Sequence, residues 1–380
     1  MKILILSMTA GEGHNSAARA MREYFTERGA ACEVVDTYGY ISPAISSSIN
    51  KGYLWLTKRA KRAYGLGYEI AERRTPLKGV EMTPAQVLNL PITREVRQCI
   101  EDFAPDAVVF THVFVGMMLD TLKQSGKIRV PTVGILTDFI FHPYWEDATD
   151  NDYVVIPAES LTQQGRRKGF RKEQMLPFGI PISPRFSETT DKAAARASLG
   201  LDPTLPTVLL MGGSMGFGRI ADSVAALDRL AGETDFQMIA VCGNNKKMHE
   251  KIASIEGDLR RPILNLGFSH SVDRLMDAAD CIVTKPGGLT TSEALAKRLP
   301  MVIVNPIPGQ EMRNAEFLLN SGTAVSENGV CGVEELVLEL LTNPTRRAAM
   351  ESCIETLRRP NSTKDVCEFV MSLARDRVAL

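Results

Sequence analysis

The sequence has no long hydrophobic run and no paired cysteine motif. No apolar stretch approaches the roughly 18 to 20 residues that cross a bilayer, and the opening run at residues 2–6 is too short for the core of a signal peptide. The 7 cysteines include no Cys-x-x-Cys pair, and an odd number cannot be fully paired within one chain. We therefore expect reduced, mostly buried cysteines in a protein that is cytoplasmic, neither exported nor transmembrane.

The sequence also lacks an excess of positive or of negative charge. Lys and Arg number 44 against 45 Asp and Glu, a net charge of −1, which argues against binding of nucleic acid over the whole surface. The 5 histidines show no metal-ligand spacing. With 44% hydrophobic and 23% charged residues, the composition is that of an ordinary globular protein. A chain of 380 residues is long enough for two domains of about 100 to 200 residues each.

Strand and helix patterns alternate through both halves of the chain. In the first half, helical spacing separates short apolar runs at residues 3–6, 32–35, 107–110, 132–136 and 153–156. In the second half, each strand-like run ends in a Gly or Pro turn that opens a helix, after residues 208–210, 238–241, 281–284 and 301–304. These patterns predict an α/β fold with two Rossmann-like domains facing across a cleft.

Composition indicates where the domains meet. Pro, Ser, Thr and Asp accumulate between residues 183 and 206, so we expect an N-terminal domain at 1–185, a linker at 186–204 and a C-terminal domain at 205–360. Apolar residues recur at helical spacing after residue 361. Residues 361–380 are therefore predicted to form a terminal helix, a candidate to pack back on the N-terminal domain.

Two glycine turns of the second half suit a phosphate ligand. The turn at 212–218 follows a strand and lacks the Lys of a Walker loop, so ATP hydrolysis has little support. The stretch at 284–295 combines Lys285, a Gly-Gly pair and two Thr hydroxyls at a helix start, a set that suits a diphosphate. Each turn also fits a tight strand-to-helix connection without any ligand.

Acidic residues near these turns have two interpretations. Glu293 follows Thr290 by three residues, and on spacing alone a helix-capping role is favoured. Gln310 and Glu311 lie side by side in the turn Pro-Gly-Gln-Glu at 308–311, which follows the strand-like run at 301–304. Their amide and carboxylate suit a hydroxyl-rich ligand, and they equally suit a solvated helix start.

The motifs, taken in order, resemble a known family. The second half is similar to the nucleotide-sugar domain of glycosyltransferase family 28, through Gly-Gly-Ser-Met-Gly at 212–216, Gly-Phe-Ser at 267–269, Lys-Pro-Gly-Gly-Leu-Thr at 285–290, Ser-Glu-Ala at 292–294 and Pro-Gly-Gln-Glu at 308–311. The first half resembles the monogalactosyldiacylglycerol synthases and processive diacylglycerol glucosyltransferases, through Gly-Glu-Gly-His at 11–14, Thr-His at 111–112, Thr-Asp-Phe at 137–139 and His-Pro-x-Trp at 142–145.

The resemblance implies a GT-B fold, no cofactor and no obligatory metal. The N-terminal domain would bind the acceptor lipid and the membrane, and the C-terminal domain would bind the UDP-sugar. The donor-binding residues that it implies are Gly213, Ser214, Gly243, Asn244, Gly267, Phe268, Lys285, Gly287, Gly288, Thr290, Glu293, Gln310 and Glu311. The acceptor-binding residues that it implies are Gly13, His112, His142 and Trp145.

Individual roles also follow from the resemblance. Phe268 would meet the uracil through its backbone, and Glu293 would hold the ribose hydroxyls. The diphosphate would lie on Ser214, Gly288 and Thr290. Gln310 and Glu311 would hydrogen-bond the hexose.

Inverting transfer needs a base that takes the proton of the acceptor hydroxyl. His14 lies where the first strand meets the first helix, and the positive end of the helix dipole favours a neutral ring. The resemblance at Gly-x-Gly-His supports the same choice. Asp138 and His142 are the rival candidates, and a role of His14 as a helix cap or phosphate contact stays open.

Residues 51–74 form a basic and aromatic segment, with seven Lys or Arg against two Glu. Such a segment suits an anionic membrane surface, although composition alone also fits a solvated helix. Because the family acts on a membrane lipid, the resemblance favours docking on the cytoplasmic face of the membrane, and no nucleic acid partner is expected.

The predicted function is transfer of galactose or glucose from UDP-galactose or UDP-glucose to the hydroxyl of diacylglycerol. The products would be a β-glycosyldiacylglycerol and UDP. The alternatives are another GT-B reaction, either transfer of N-acetylglucosamine to a polyprenyl lipid or 2-epimerisation of UDP-N-acetylglucosamine, and a non-catalytic lipid-binding protein. The sequence does not choose between the sugars and does not predict the oligomeric state.

Overall fold

The structure, a computed structural model, describes residues 1–9, 12–41, 84–216, 219–230 and 232–378. Contacts divide the chain into two compact units. Unit 1 comprises Met1–Pro184, Ile307–Gln310 and Asn361–Leu380, and unit 2 comprises Arg185–Pro306 and Glu311–Pro360. The predicted membrane segment at 51–74 and Gly11 of the Gly-Glu-Gly-His motif lie outside the described residues.

A six-stranded parallel sheet forms the centre of unit 1. Its strands are β1 (Lys2–Ser7), β2 (Ala31–Asp36), β3 (Ala107–Phe110), β4 (Thr132–Ile135), β5 (Tyr153–Val155) and β6 (Met175–Leu176). They lie in the order β2-β1-β3-β4-β5-β6. β3 and β4 are buried along their whole length, as expected for strands covered on both faces.

The helices of unit 1 that precede the second unit connect these strands. They are α1 (Glu12–Glu27), α2 (Thr37–Ile41), α3 (Pro84–Phe103), α4 (Val113–Gln124) and α5 (Thr162–Arg167). α1 buries Ala17, Met21 and Phe25, which are spaced at about one helical turn. The strand and helix pattern that was predicted for the start of the chain is confirmed.

Unit 2 contains a second parallel sheet with a different strand order. Its strands are β7 (Thr207–Met211), β8 (Gln237–Val241), β9 (Ile263–Leu266), β10 (Cys281–Thr284), β11 (Met301–Ile303) and β12 (Ala324–Ser326). The order is β12-β11-β10-β7-β8-β9. The helices are α6 (Lys192–Ser198), α7 (Ile220–Asp228), α8 (Lys246–Glu256), α9 (Val272–Ala278), α10 (Gly288–Ala296), α11 (Gln310–Asn320), α12 (Val333–Thr342) and α13 (Pro344–Leu357).

The last helix, α14 (Ser362–Val378), belongs to unit 1. Val366, Val370 and Ala374, spaced four residues apart, are fully buried in the same apolar cluster as β1 and α1. The Tyr24 hydroxyl donates a hydrogen bond to Glu368, with 3.0 Å between the oxygens. The chain therefore returns to its N-terminal sheet after passing through unit 2.

Each sheet has one point where the strand order reverses. In unit 1 it lies between β1 and β3, because β1 pairs with β2 on one side and β3 on the other. In unit 2 it lies between β7 and β10, since β7 pairs with β8 on its opposite side. Open α/β sheets bind ligands outside the carboxyl ends of the strands at such points. The fold thus singles out two places, one in each unit.

Candidate active site

His14 lies at the reversal point of unit 1, in the first turn of α1 directly after β1. Its Nδ1 is 2.6 Å from the carbonyl oxygen of Thr111, which follows β3. Because a carbonyl oxygen only accepts, Nδ1 carries the ring proton and donates it to Thr111. The Thr137 hydroxyl lies 3.3 Å from the same nitrogen. In this tautomer Nε2 keeps a lone pair and is able to accept a proton.

Burial sets the protonation state of His14. It lowers the pKa of the imidazole to about 4, and the hydrogen bond to Thr111 offsets part of that effect. The ring is therefore neutral near pH 7. The neutral ring was predicted from the helix dipole, whereas the main cause in the structure is loss of solvent around the ring.

A chain of polar side chains supports this corner of unit 1. The Thr9 hydroxyl donates to Asp36 at 2.7 Å, and the Asn15 amide approaches Thr9 at 3.5 Å. Ser7 donates to the Asn15 carbonyl at 2.9 Å, and the Thr111 hydroxyl donates to Ser7 at 3.1 Å. These bonds tie the first turn of α1 to the ends of β1, β2 and β3. This set of residues was not predicted from the sequence, in which small polar residues that follow buried strands were the available signal.

His112 and His142 both cap helices. The Nδ1 of His112 accepts from the backbone N–H of Phe114 at the start of α4, and the Nδ1 of His142 accepts from Tyr144 at the start of a short 3-10 helix, Pro143–Ala148. The rings of His112 and His14 meet edge to face, with 4.8 Å between centroids. Burial, followed by the nearby His14 and His142, holds the pKa of His112 well below its usual range. The structure thus gathers the three histidines at one corner.

The other residues predicted for unit 1 have different surroundings. The Trp145 indole is only 3% exposed and contacts Phe110, Phe141 and Phe170, so it packs in the core and offers little surface to an acceptor. Gly13 lies in the first turn of α1. Asp138 accepts a hydrogen bond from the side-chain amide of Gln310, which the contacts assign to unit 1.

In unit 2, the turns after β7 and β8 pack on one another. The Asn244 N–H donates to the Ser214 carbonyl at 2.9 Å. Gly216 and Gly243 have φ values of 58° and 55°, in the region that favours glycine. A Cβ on Gly216 would overlap the Cys242 carbonyl, and one on Gly243 would overlap the Ser214 carbonyl. Close approach of two backbones therefore explains these glycines without any ligand.

The next two turns continue the same edge of the sheet. After β9, the Gly267 carbonyl accepts from the Gly243 N–H at 3.1 Å, and the Phe268 side chain is 51% exposed. After β10, α10 begins at Gly288 with Gly287 as its N-cap. Since glycine has no side chain, the N–H groups of the first turn, which includes Thr290, have no cap from Gly287. Such a helix start suits an anion.

Glu293 lies inside α10, six residues after Gly287, and does not cap the helix. The capping interpretation favoured by the spacing from Thr290 is therefore wrong. Burial raises the pKa of the Glu293 carboxyl to about 8, and the nearby Asp273 adds to the shift. The Glu293 side chain is partly exposed, so its carboxyl is able to accept hydrogen bonds from hydroxyl groups.

Lys285 follows β10, and its ammonium pairs with Glu311 in the first turn of α11, with 2.6 Å between Nζ and Oε1. Both residues were predicted as separate donor contacts, Lys285 near the diphosphate and Glu311 at the hexose. The structure joins them in one ion pair.

The described parts of the chain contain neither a metal-ligand cluster nor a membrane-spanning helix. Within residues 1–9, 12–41, 84–216, 219–230 and 232–378, no group of three or more His, Cys, Asp or Glu is arranged to hold a metal ion. In the same ranges, no helix combines the length and apolar character that a membrane span requires.

Comparison with known proteins identifies two family regions. Residues 14–182 match the monogalactosyldiacylglycerol (MGDG) synthase family, and residues 207–366 match the glycosyltransferase family 28 C-terminal domain. A processive diacylglycerol beta-glucosyltransferase from Bacillus pumilus is 26% identical over 375 residues, which are 97% of this chain and 94% of that protein. Monogalactosyldiacylglycerol synthase 1 from Arabidopsis thaliana is 29% identical over 334 residues, 84% of this chain and 61% of the relative.

Solved structures support the fold. Acinetobacter baumannii MurG aligns with a TM-score of 0.64 at 15% identity, over 98% of this chain and 99% of that one. The calicheamicin glycosyltransferase CalG4 aligns with a TM-score of 0.62 at 13% identity, over 98% of each chain. With two parallel α/β sheets and these neighbours, the fold is GT-B. The chain is a glycosyltransferase and belongs to glycosyltransferase family 28, in the branch that carries a monogalactosyldiacylglycerol synthase domain before the family's C-terminal domain.

Proposed function

We propose that this glycosyltransferase moves a hexose from a UDP-sugar to the hydroxyl of diacylglycerol with inversion at the anomeric carbon. The products are a β-glycosyldiacylglycerol and UDP. Relatives named as processive diacylglycerol beta-glucosyltransferase and as monogalactosyldiacylglycerol synthase support the acceptor. The observation that carries the mechanism is the bond from His14 Nδ1 to the Thr111 carbonyl, because it leaves Nε2 as a proton acceptor.

His14 acts as the general base. Its Nε2 takes the proton of the acceptor hydroxyl while the hydroxyl oxygen bonds to the anomeric carbon and the bond from that carbon to UDP breaks. The imidazolium that forms keeps its Nδ1 proton on the Thr111 carbonyl, which stabilises the new positive charge. A pKa of about 4 keeps the resting ring unprotonated and ready at neutral pH.

Unit 2 holds the UDP-sugar. Backbone N–H groups at the start of α10 and in the turn at Ser214 stabilise the negative charge that grows on the leaving UDP, and each such donor contributes roughly 3 kcal/mol. The Glu293 carboxyl accepts from the ribose hydroxyls. The uracil lies at Phe268, and the hexose contacts Gln310 and Glu311. The chemistry requires no metal, so activity is expected to persist in a chelator such as EDTA.

A transfer assay tests the proposal. Purified protein is incubated with UDP-glucose or UDP-galactose and diacylglycerol in anionic vesicles, and the lipid product is identified by mass and sugar analysis. His14→Ala is expected to lower turnover by about 10²- to 10⁴-fold and to leave UDP binding intact. His249→Ala on α8 is the matched control and is expected to keep wild-type turnover. Turnover of UDP-N-acetylglucosamine without lipid, or full activity in His14→Ala, would contradict the proposal.

Membrane docking through residues 51–74 is part of the same proposal and depends on sequence alone, because the segment lies outside the described residues. Each basic residue near an anionic surface adds about 1 kcal/mol to binding. Replacement of Lys58, Arg59, Lys61 and Arg62 by Ser is expected to abolish co-sedimentation with anionic vesicles while UDP binding persists. Unchanged co-sedimentation would remove this segment from the proposal.

A further inference from the structure

The Lys285–Glu311 ion pair is short and largely enclosed. Its Nζ–Oε1 distance is 2.6 Å, and the side chains are 12% and 17% exposed. Both residues follow neighbouring parallel strands: Lys285 comes directly after β10, and Glu311 lies in the first turn of α11, the helix that follows β11. The pair therefore lies at the carboxyl edge of the unit 2 sheet, the edge that carries the glycine turns.

A second contact fixes the orientation of α11 relative to Lys285. Asn314 is fully buried, and its side-chain amide donates to the Pro286 carbonyl at 3.0 Å. Asn314 follows Glu311 by three residues, so the two side chains share a face of the helix. The segment at Lys285 and Pro286 thus contacts α11 in each of its first two turns, through Glu311 and Asn314. The Glu311 carboxylate is not free to turn away as a solvated helix-start residue would.

The ammonium of Lys285 forms a close ion pair with this carboxylate. The two charges lie 2.6 Å apart with little access to solvent, so the pair is a charge-assisted hydrogen bond. Phosphate oxygens have other donors at the same edge, the N–H groups at the start of α10. The pairing also neutralises a carboxylate near the site proposed for an anionic diphosphate.

We propose that Lys285 is a positioning residue for sugar recognition. It orients Glu311 so that the carboxylate accepts hydrogen bonds from the hexose hydroxyls, and its contribution to the diphosphate is secondary. This inference rests on the proposed UDP-hexose donor. It differs from the sequence-based expectation, in which Lys285 served the diphosphate directly.

Binding of UDP and of UDP-hexoses distinguishes a role of Lys285 in positioning Glu311 from a direct role at the diphosphate. Isothermal titration calorimetry compares UDP, which lacks the sugar, with UDP-glucose and UDP-galactose. If Lys285 acts through Glu311, Lys285→Met lowers the affinity for the two UDP-hexoses by about 10- to 100-fold, which is the contribution of a hydrogen bond to a charged group. The affinity for UDP changes much less. Glu311→Gln shows the same pattern, the double variant is no worse than Glu311→Gln alone, and Lys285→Arg restores most of the lost affinity.

Lys123→Met in unit 1 is the matched control, because Lys123 pairs with Asp152 at the same 2.6 Å and is 14% exposed. Lys123→Met is expected to leave the affinities for UDP and for UDP-hexose unchanged. Equal losses for UDP and UDP-hexose in Lys285→Met, or losses that multiply in the double variant, would overturn the inference and return Lys285 to the diphosphate. If Lys285→Met does not fold, the affinities for UDP and for UDP-hexose are compared in Glu311→Gln and Lys285→Arg. Failure of the wild-type protein to bind UDP or any UDP-hexose would instead overturn the proposed function.

Discussion

Replacing Glu293 by Gln is expected to stabilise the protein at alkaline pH and to weaken binding of the UDP-sugar. In the folded chain, burial and then the neighbouring Asp273 raise the pKa of this carboxyl from 4.5 to about 8. The folded chain therefore disfavours the ionised form of Glu293, whereas in the unfolded chain the carboxyl ionises at its ordinary pKa. Gln keeps the shape and cannot ionise.

Proton linkage gives the direction and the magnitude of the effect of Glu293 on stability. Between pH 4.5 and about 8 the folded state binds more protons at Glu293 than the unfolded state, so stability falls as pH rises through this window. The stability levels off above about pH 8, the pKa of Glu293 in the folded chain. The difference between a pKa of 4.5 and one of about 8 corresponds to a stability change of about 5 kcal/mol at most, at about 1.4 kcal/mol for each tenfold change in proton affinity. Solvent relaxation around this partly exposed carboxyl reduces the change to roughly 1 to 3 kcal/mol.

Thermal unfolding against pH measures the effect. Glu293→Gln is expected to match the wild-type melting temperature near pH 4.5 and to exceed it by several degrees at pH 8.5. Glu250→Gln, which removes an exposed carboxylate from α8, is the control and is expected to show no such divergence. A difference between Glu293→Gln and wild type that stays constant from pH 4.5 to 8.5 would refute the reasoning.

Donor binding provides the second measurement. Because ionised Glu293 accepts better from ribose hydroxyls, affinity of the wild type is expected to rise from pH 6 to pH 8.5, with proton release visible in buffers of different ionisation enthalpy. UDP-glucose is the preferred probe, since UDP has a terminal phosphate that titrates near pH 6. Glu293→Gln is expected to bind more weakly and without this pH dependence.

Three further predictions concern other parts of the site. The acid limb of kcat/KM is expected below pH 5, because the base His14 has a pKa of about 4; loss of activity already near pH 6.5 would contradict this assignment. Gly243→Ala, whose Cβ would overlap the Ser214 carbonyl, is expected to destabilise the protein and to reduce UDP affinity in calorimetry. Trp145→Ala is expected to lower the free energy of unfolding by about 3 to 5 kcal/mol and to leave UDP affinity unchanged, since the indole packs in the core; a large loss of acceptor affinity without destabilisation would restore its acceptor role.

Most of the strands predicted from the sequence are buried on both faces. β1, β3, β7 and β10 each appear as a continuous apolar run, whereas β2 was predicted although it is partly exposed. β6, β9 and β12 were not predicted. β6 has two residues, β12 has three, and β9 is only partly buried and contains an Asn. None of these three strands therefore forms a continuous apolar run long enough to stand out from a loop.

Strand order is the main feature that local patterns did not reveal. Both halves show the same alternation along the chain, yet one sheet has the order β2-β1-β3 and the other β11-β10-β7-β8. Hydrogen bonds between strands depend on how helices pack across the sheet, which leaves no mark in a short window of sequence. The reversal points, and with them the position of the candidate site, therefore became visible only in the fold.

The sequence by itself determined the family, the α/β class, and the glycine turns that follow buried strands, because these depend on local burial and on backbone conformation. Only the tertiary structure decided that His14 meets the Thr111 carbonyl 97 residues away, that Trp145 is a core residue, and that Lys285 pairs with Glu311. Each of these facts depends on which strands become neighbours and on how far solvent is removed from a polar group. Both are properties of the packed molecule, since residues distant in sequence create them together.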